Sequence, residues 1–233
     1  MTQNLAGALR FDSQNDVDDD LDLSAQESLL NGVLREHYNP DAQMSPVQIE
    51  AVSAAIRSRG PNCNMLVFGL GNDSPLWANL NHGGYTLFLE NIPDWIDKVR
   101  SKHPDLNIDH MDYPTTVDAS LKDPALTVRQ AVVPDNIKSR RWDVILVDAP
   151  MGWRPDNPGR ALPIIWTALV AHDDTHVFVD DYERALEKRY ADFLFAERAK
   201  NRSVVLPRPA TARLNASEML WLFGISQSLS DKR

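Results

Sequence analysis

The chain has 233 residues, 43% of them apolar and 24% charged, with a net charge of -9. That composition allows one domain with a buried core and excludes collagen-like, low-complexity and wholly disordered chains. The acidic balance argues against a broad nucleic-acid footprint, which needs clustered Lys and Arg, and the single cysteine, Cys63, excludes an internal disulfide framework.

Residues 1–24 read as an acidic flexible arm, because Asp12, Asp16, Asp18, Asp19, Asp20 and Asp22 repel one another and bury nothing. No apolar run reaches about 18 residues and no signal core opens the chain, so the expectation is a soluble, cytoplasmic protein with no membrane partner. A single domain with leading helices is expected over residues 25–233. Ser24 with Glu27 has the form of a capping box, which predicts a helix over 25–36. Ser45-Pro46-Val47-Gln48 opens a second helix, with Val47, Ile49, Val52, Ala55 and Ile56 on one face and Gly60-Pro61 as its stop.

Beyond Pro61 the rhythm changes to short apolar runs separated by helical patterns. Strands are expected at 64–68, 85–89, 106–111, 142–147 and 175–179, with helices over 75–80, 92–102, 163–171 and 182–199. Residues 203–206 and 219–225 read as a terminal antiparallel pair. Alternation of this kind predicts an α/β fold with a mostly parallel sheet covered on both faces. Ligands of such sheets bind beyond the carboxyl ends of the strands. Those ends carry Gly69, Glu90, Asp148 and the Asp180-Asp181 pair.

The first strand runs into Gly69-Leu70-Gly71-Asn72-Asp73-Ser74, a turn whose glycines permit close backbone approach to a ligand. Alone, a Gly-x-Gly is weak evidence. Glu90 strengthens it: it follows Gly71 by 19 residues (90 − 71) and ends the next strand, where an acidic side chain accepts hydrogen bonds from ribose hydroxyls. NAD and S-adenosylmethionine both fit such a site. Ser74 stands where the dinucleotide fingerprint has its third glycine, which disfavours a pyrophosphate, and the short chain leaves little room for a second substrate domain. Both points favour S-adenosylmethionine, with Gly69, Gly71, Asp73, Ser74 and Glu90 as the binding set.

The stretches 65–77, Thr86-Leu-Phe-Leu-Glu90, Trp142-Asp-Val-Ile-Leu-Val-Asp-Ala-Pro150, Pro155-Asp-Asn-Pro-Gly-Arg160 and Thr175-His-Val-Phe-Val-Asp-Asp-Tyr182 together resemble the plant glucuronoxylan 4-O-methyltransferase family, also described as a polysaccharide-biosynthesis methyltransferase domain. The likeness spans roughly residues 43–225. It implies a Rossmann-like class I methyltransferase fold, with a seven-stranded, mostly parallel sheet, and S-adenosylmethionine as methyl donor. Plant members of that family carry a membrane anchor ahead of the domain and work in the Golgi lumen, where this chain has its acidic arm. The family usually reads Val-His-Asp where this chain reads Val179-Asp180-Asp181.

Methyl transfer to oxygen needs in-line geometry, a proton acceptor beside the hydroxyl and shielding from water. The expected catalytic residues are Asp148, Asp180 and Asp181, with His176 a weaker candidate better read as an ordinary strand histidine. The same three aspartates are the expected ligands if a divalent cation takes part. The loop Met151–Arg160, rich in Pro and Gly, carries Trp153, Arg154 and Arg160, which are expected to bind the acceptor. Arg160, at the position matching the family, is expected to grip an acceptor carboxylate. Trp77 and Trp166 sit at helical positions among apolar residues and are expected in the core. The expected function is O-methylation of a glucuronic-acid-containing glycan or related acidic acceptor. The alternatives are a small-molecule O-methyltransferase of specialised metabolism and a catalytically silent binding module.

Overall fold

The computed structural model describes residues 44–195, 199–203 and 224–227. The acidic arm and the helix expected over 25–36 lie outside the described residues.

Five parallel strands form the centre of the sheet: β1 (Asn64–Phe68), β2 (Tyr85–Glu90), β3 (Asn107–His110), β4 (Val144–Val147) and β5 (His176–Val179). Their order is β3-β2-β1-β4-β5, and an antiparallel pair continues it as β7 (Gly224–Gln227) beside β5 and then β6 (Ala199–Ser203). The order reverses between β1 and β4. Connections leave those two strands in opposite directions there, which opens a crevice above their carboxyl ends.

Each strand alternates sides. Leu66, Phe68, Leu87, Leu89, Ile145, Val147, Val177 and Val179 all join one buried cluster with helices α7 (Ala161–Val170) and α8 (Ala185–Phe195). The opposite face meets α1 (Pro46–Arg59), whose Val52 lines the same small cavity as Leu146 and Phe178. Fully burying one such side chain is worth about 1.5–3 kcal/mol, so this double covering dominates the stability of the sheet. Trp77 and Trp166 lie in the core as expected, at 0% and 4% exposure, with Trp166 stacked on Tyr113.

Helix α1 starts as its sequence dictates. Ser45 caps it, and the reciprocal Gln48 contact completes a capping box. Gly60, at φ 73°, ends it. Helices α2 (Ser74–Leu80) and α3 (Pro93–Lys102) follow the expected positions closely.

Two points depart from the expected elements. The helix expected from Tyr182 begins only at Ala185, because Asp181 takes a positive φ of 54° and the chain turns there before it can wind. Among the described residues it runs to Phe195, and Ala199, expected in this helix, belongs to β6. The segment between β3 and β4 holds three short helices that periodicity does not reveal: α4 (Val117–Lys122), α5 (Pro124–Gln130) and α6 (Asp135–Lys138). Local caps start the first two, with Thr116 accepting from the Ala119 N–H and Asp123 from the Leu126 N–H. Among the described residues no helix is long and apolar enough to cross a membrane.

Candidate active site

The crevice is assembled from the ends of β1, β2, β4 and β5. Gly69 follows β1 at φ 127°, and a Cβ there would stand 3.2 Å from the Ala149 Cβ. Only glycine lets this turn lie so close to the residue after Asp148. The Asp148 and Ala149 N–H groups both donate to the Phe68 carbonyl, at 2.9 and 2.8 Å, which locks the two strand ends together.

Glu90 stands beside this turn, one residue beyond the Phe68–Leu89 pair, and is 6% exposed. Its Oε1 accepts from the Asn91 N–H at 2.7 Å and the Ile92 N–H at 3.0 Å. Burial pushes its carboxyl above the usual range, against the pull of the surrounding N–H groups and His110. The Trp95 indole N–H donates to the Leu70 carbonyl and braces the glycine turn. Within that turn, Asp73 is 6% exposed and folds back over Gly71, while the Ser74 hydroxyl is buried without a partner. The expected donor-binding residues are therefore gathered in one place. The close glycine approach, the acidic Glu90 and the orphaned Ser74 hydroxyl suit the adenosyl and amino-acid parts of S-adenosylmethionine.

Asp148, Asp180 and Asp181 converge as well, and what they converge on is Arg160. One guanidinium nitrogen donates to the Asp180 carbonyl at 2.7 Å and lies 3.7 Å from its carboxylate. The other lies 3.3 Å from Asp148 Oδ1 and 2.8 Å from Asp181 Oδ2, and Arg184 meets that same Asp181 oxygen at 2.8 Å. Arg160 is 4% exposed. Burial works against its charge, but Asp148, Asp181, Asp180 and Glu187 together keep it firmly protonated. The open fork expected for an acceptor carboxylate is thus not what surrounds Arg160: its fork is filled by the chain's own carboxylates. The same arginine bears on the three aspartates expected as ligands if a divalent cation takes part. A guanidinium occupies the space between the three aspartates, and among the described residues no group of three His, Cys, Asp or Glu side chains is placed to hold a metal ion.

The carboxyls outnumber the cations. Burial raises Asp148 well above the usual carboxylate range; Arg160 opposes this, and neighbouring Asp180 and Asp73 add to it. Burial also raises Asp73 and Asp181. His176 lies at the start of β5, at the far end of the sheet from this cluster, and burial lowers its pKa.

The Met151–Arg160 loop is held at several points. Val117 and Asp118 donate backbone N–H groups to Asn157 and Pro155, at 2.9 and 3.0 Å, and Gly159 donates to Met151 at 2.9 Å. Within it Trp153 is 64% exposed, and Arg154 is exposed with only a loose 3.8 Å approach to Asp156. Both lie on the outside of the loop, apart from the buried cluster around Arg160.

Three residues of the site lie beyond what the sequence pattern suggests. Glu187 is completely buried, and neither carboxylate oxygen has a hydrogen-bond partner; a Cβ on Gly152 would lie 3.0 Å from it. Its signal in the sequence is a charge on the apolar stripe formed with Leu186, Tyr190 and Ala191. Tyr113, whose buried hydroxyl has no partner, follows β3 and feels the charge of Glu90. Gln48 donates from Nε2 to Asp180 Oδ1 at 2.8 Å. Its place in a capping box marks it as a helix start and hides this second contact.

A family model described as IRX15/IRX15L/GXM matches residues 47–123 and 121–207. Arabinogalactan O-methyltransferase 2 of Arabidopsis thaliana is 34% identical over 197 residues, which is 72% of this chain and 67% of that protein. Glucuronoxylan 4-O-methyltransferase 2 of the same plant is 38% identical over 165 residues, covering 60% of this chain and 56% of the relative. Protein IRREGULAR XYLEM 15, also of Arabidopsis thaliana, is 30% identical over 195 residues, covering 71% and 60%. The chain spans between a little over half and two thirds of the length of these relatives. The family match runs through the glycine turn, Glu90, the aspartate cluster and the Arg160 loop alike, and by that match the chain belongs to the IRX15/IRX15L/GXM family.

Proposed function

We propose that this protein is an S-adenosylmethionine-dependent O-methyltransferase acting on a hydroxyl of a glucuronic-acid-containing glycan or a related acidic acceptor. The observation that carries the reading is the charge of the crevice. Glu90, Asp73, Asp148, Asp180 and Asp181 face it against Arg160 and Arg184. A pyrophosphate would be repelled there, whereas a sulfonium and an ammonium are attracted. The names of the relatives support the acceptor class, since two of those matched are named as O-methyltransferases of arabinogalactan and of glucuronoxylan.

Bound S-adenosylmethionine supplies an electrophilic methyl group. Glu90 accepts from the ribose hydroxyls, and the turn from Gly69 to Ser74 holds the amino-acid part against Asp73. Asp148 takes the acceptor's hydroxyl proton. It is 23% exposed by side chain, so it reaches the crevice, and its raised pKa suits it to accepting a proton. Asp181, also partly exposed, is the second candidate for that role. Arg160 holds both carboxyls in place, and Trp153 with Arg154 forms the outer edge that a sugar chain would meet.

A second reading is a silent member of the same fold, because IRREGULAR XYLEM 15 bears a name that states no activity. Titration calorimetry separates the two. The methyltransferase reading expects S-adenosylmethionine to bind, and Glu90→Ala to weaken it by about 10- to 100-fold through loss of charge-assisted bonds. No heat of binding to the wild-type protein overturns it. Mass spectrometry after incubation with uronic-acid oligosaccharides then tests the acceptor class, with a gain of one methyl group expected.

A further inference from the structure

Gln48 belongs to a helix start and to the aspartate cluster at once. Its Oε1 accepts from the Ser45 N–H at 2.7 Å, and its Nε2 donates to Asp180 Oδ1 at 2.8 Å. The residue is 9% exposed, so water competes little for either contact. The two partners fix which end of the amide points where. A flipped amide would set an NH2 against the Ser45 N–H and an oxygen against a carboxylate, losing both bonds.

The choice of glutamine over glutamate follows from the second contact. A capping box accepts Glu as readily as Gln at its third helical position, because only the acceptor oxygen serves the cap. Glutamate here would keep the cap and turn its second oxygen on Asp180. The amide nitrogen is thus needed by Asp180 and not by the helix. Other charges act close to Asp180: Asp73 in the glycine turn, Asp148 just after β4, Asp181 next in the chain, and Arg160 in the loop. With Oδ1 tied to Gln48, Oδ2 is left toward Arg160 at 3.7 Å.

We infer that Gln48 is a positioning residue of the active site: helix α1 delivers through it the hydrogen bond that fixes the Asp180 carboxylate beside Asp148 and Arg160. This rests on the reading of that cluster as the methyl-transfer site. The assignment gives Gln48 no contact of its own with donor or acceptor. Its effect passes through Asp180 to the neighbouring base.

Four proteins test it: wild type, Gln48→Glu, Asp180→Asn and the double variant. Two readouts are taken, the urea midpoint and the kinetics of methyl transfer to uronic-acid oligosaccharides, with S-adenosylmethionine affinity measured by calorimetry. Gln48→Glu should lower the urea midpoint by setting two carboxylates face to face. Adding Asp180→Asn should restore it, since the amide at position 180 then donates to the carboxylate at position 48, with the polarity of the bond reversed. In turnover, Gln48→Glu should lose roughly 10- to 100-fold in kcat, the effect of a lost hydrogen bond to a charged group, with donor affinity within about twofold of wild type. The double variant should stay slow because the Asp180 carboxylate is gone. If Gln48→Glu matches wild type in midpoint and kcat, Gln48 is only a cap and the inference is overturned. It is equally overturned if Asp180→Asn fails to relieve Gln48→Glu, or if the loss lies in donor affinity with kcat kept. Failure of the methyltransferase reading looks different: the wild-type protein binds no S-adenosylmethionine, while the midpoints still report the Gln48–Asp180 bond.

Discussion

The two ends of the parallel sheet use the same residue types for opposite purposes. At the amino ends of the strands, Asp174 pairs with Arg141 at 2.5 Å and Arg59 at 3.5 Å, and Asp143 accepts from the Asn64 N–H at 2.8 Å. The Arg141 hydrogen bond holds the Asp174 carboxyl below its ordinary range. At the carboxyl ends, Asp148 is driven the other way by burial among other carboxyls. At the first end Asp174 meets its cations in contact with water. At the second end, Asp73, Asp148, Asp180, Asp181 and Glu187 crowd around Arg160 and Arg184, largely out of water. An arrangement of that kind costs free energy, and functional sites are where such costs are found. Cys63 marks the quiet end again: it is fully buried, and burial pushes its thiol up to about 12, which leaves it unreactive.

The largest test of this contrast is Asp148→Asn. If Asp148 takes the acceptor proton, kcat should fall by about 10² to 10⁴ while donor affinity holds. The pH dependence carries a sign that can be checked. Turnover needs the ionised carboxylate, so wild-type activity should climb as pH rises through a value above the ordinary 3.8. Stability should run the opposite way. A carboxyl whose folded pKa is raised favours folding fully below its unfolded value and loses that contribution as pH rises through the folded one. Asp148→Asn should remove both limbs. Equal rate profiles for the two proteins would deny Asp148 the role of base.

Arg160→Leu comes next. It removes a side chain that meets Asp148, Asp180 and Asp181 together, leaving buried carboxylates uncompensated at a cost of about 3–5 kcal/mol. Urea unfolding at neutral pH measures it. The loss should shrink at low pH, where the raised carboxyls are protonated. A variant as stable as wild type at neutral pH would mean that the cluster does not depend on its arginine.

A smaller loss is expected from Gly159→Ala. Gly159 has φ 68°, and a Cβ there would sit 2.6 Å from Leu186 Cδ2 and 2.8 Å from Val117 Cγ2. Strain and overpacking together should cost about 1–3 kcal/mol. The loop would be pushed from α8, and Arg160 directly follows it, so kcat should fall along with the melting temperature. Thermal unfolding with parallel kinetics checks both.

The contrast also explains what can be read from the chain. The strands are legible because Met65–Phe68, Leu87–Leu89, Ile145–Val147 and Val177–Val179 are apolar on both sheet faces, and the glycine turn and Glu90 because a strand end fixes where each must lie. Helices α4 to α6 escape because each is short and mixes polar with apolar residues, and the starts of the first two rest on single caps at Thr116 and Asp123. The three aspartates are legible as a group, but their partner is not. Arg160 reads as a free cation in a polar loop, and only the fold shows that Asp148, Asp180 and Asp181 close on it from three directions. Glu187 and Gln48 lie further still from sequence reasoning, since each joins the cluster across elements far apart in the chain.

The smallest expected effect is the one that guards the comparison. Asp174→Asn removes the acid that Arg141 and Arg59 share, at the end of the sheet away from the crevice. Asp174 is 49% exposed by side chain and Arg141 59%. Water and salt screen such a pair, and holding two long side chains together costs entropy, so the net contribution is small. The shift in Asp174 pKa is therefore no measure of what the bond adds to folding. The melting temperature should stay within about 2 °C of wild type, and raising the salt should erase even that difference. Donor affinity and kcat should be unchanged, because no described contact links Asp174 to Glu90, Asp148 or Arg160. A clear loss of turnover in a well-folded Asp174→Asn protein would show that the two ends of the sheet are coupled, and the division between a stabilising end and a reacting end would have to be given up.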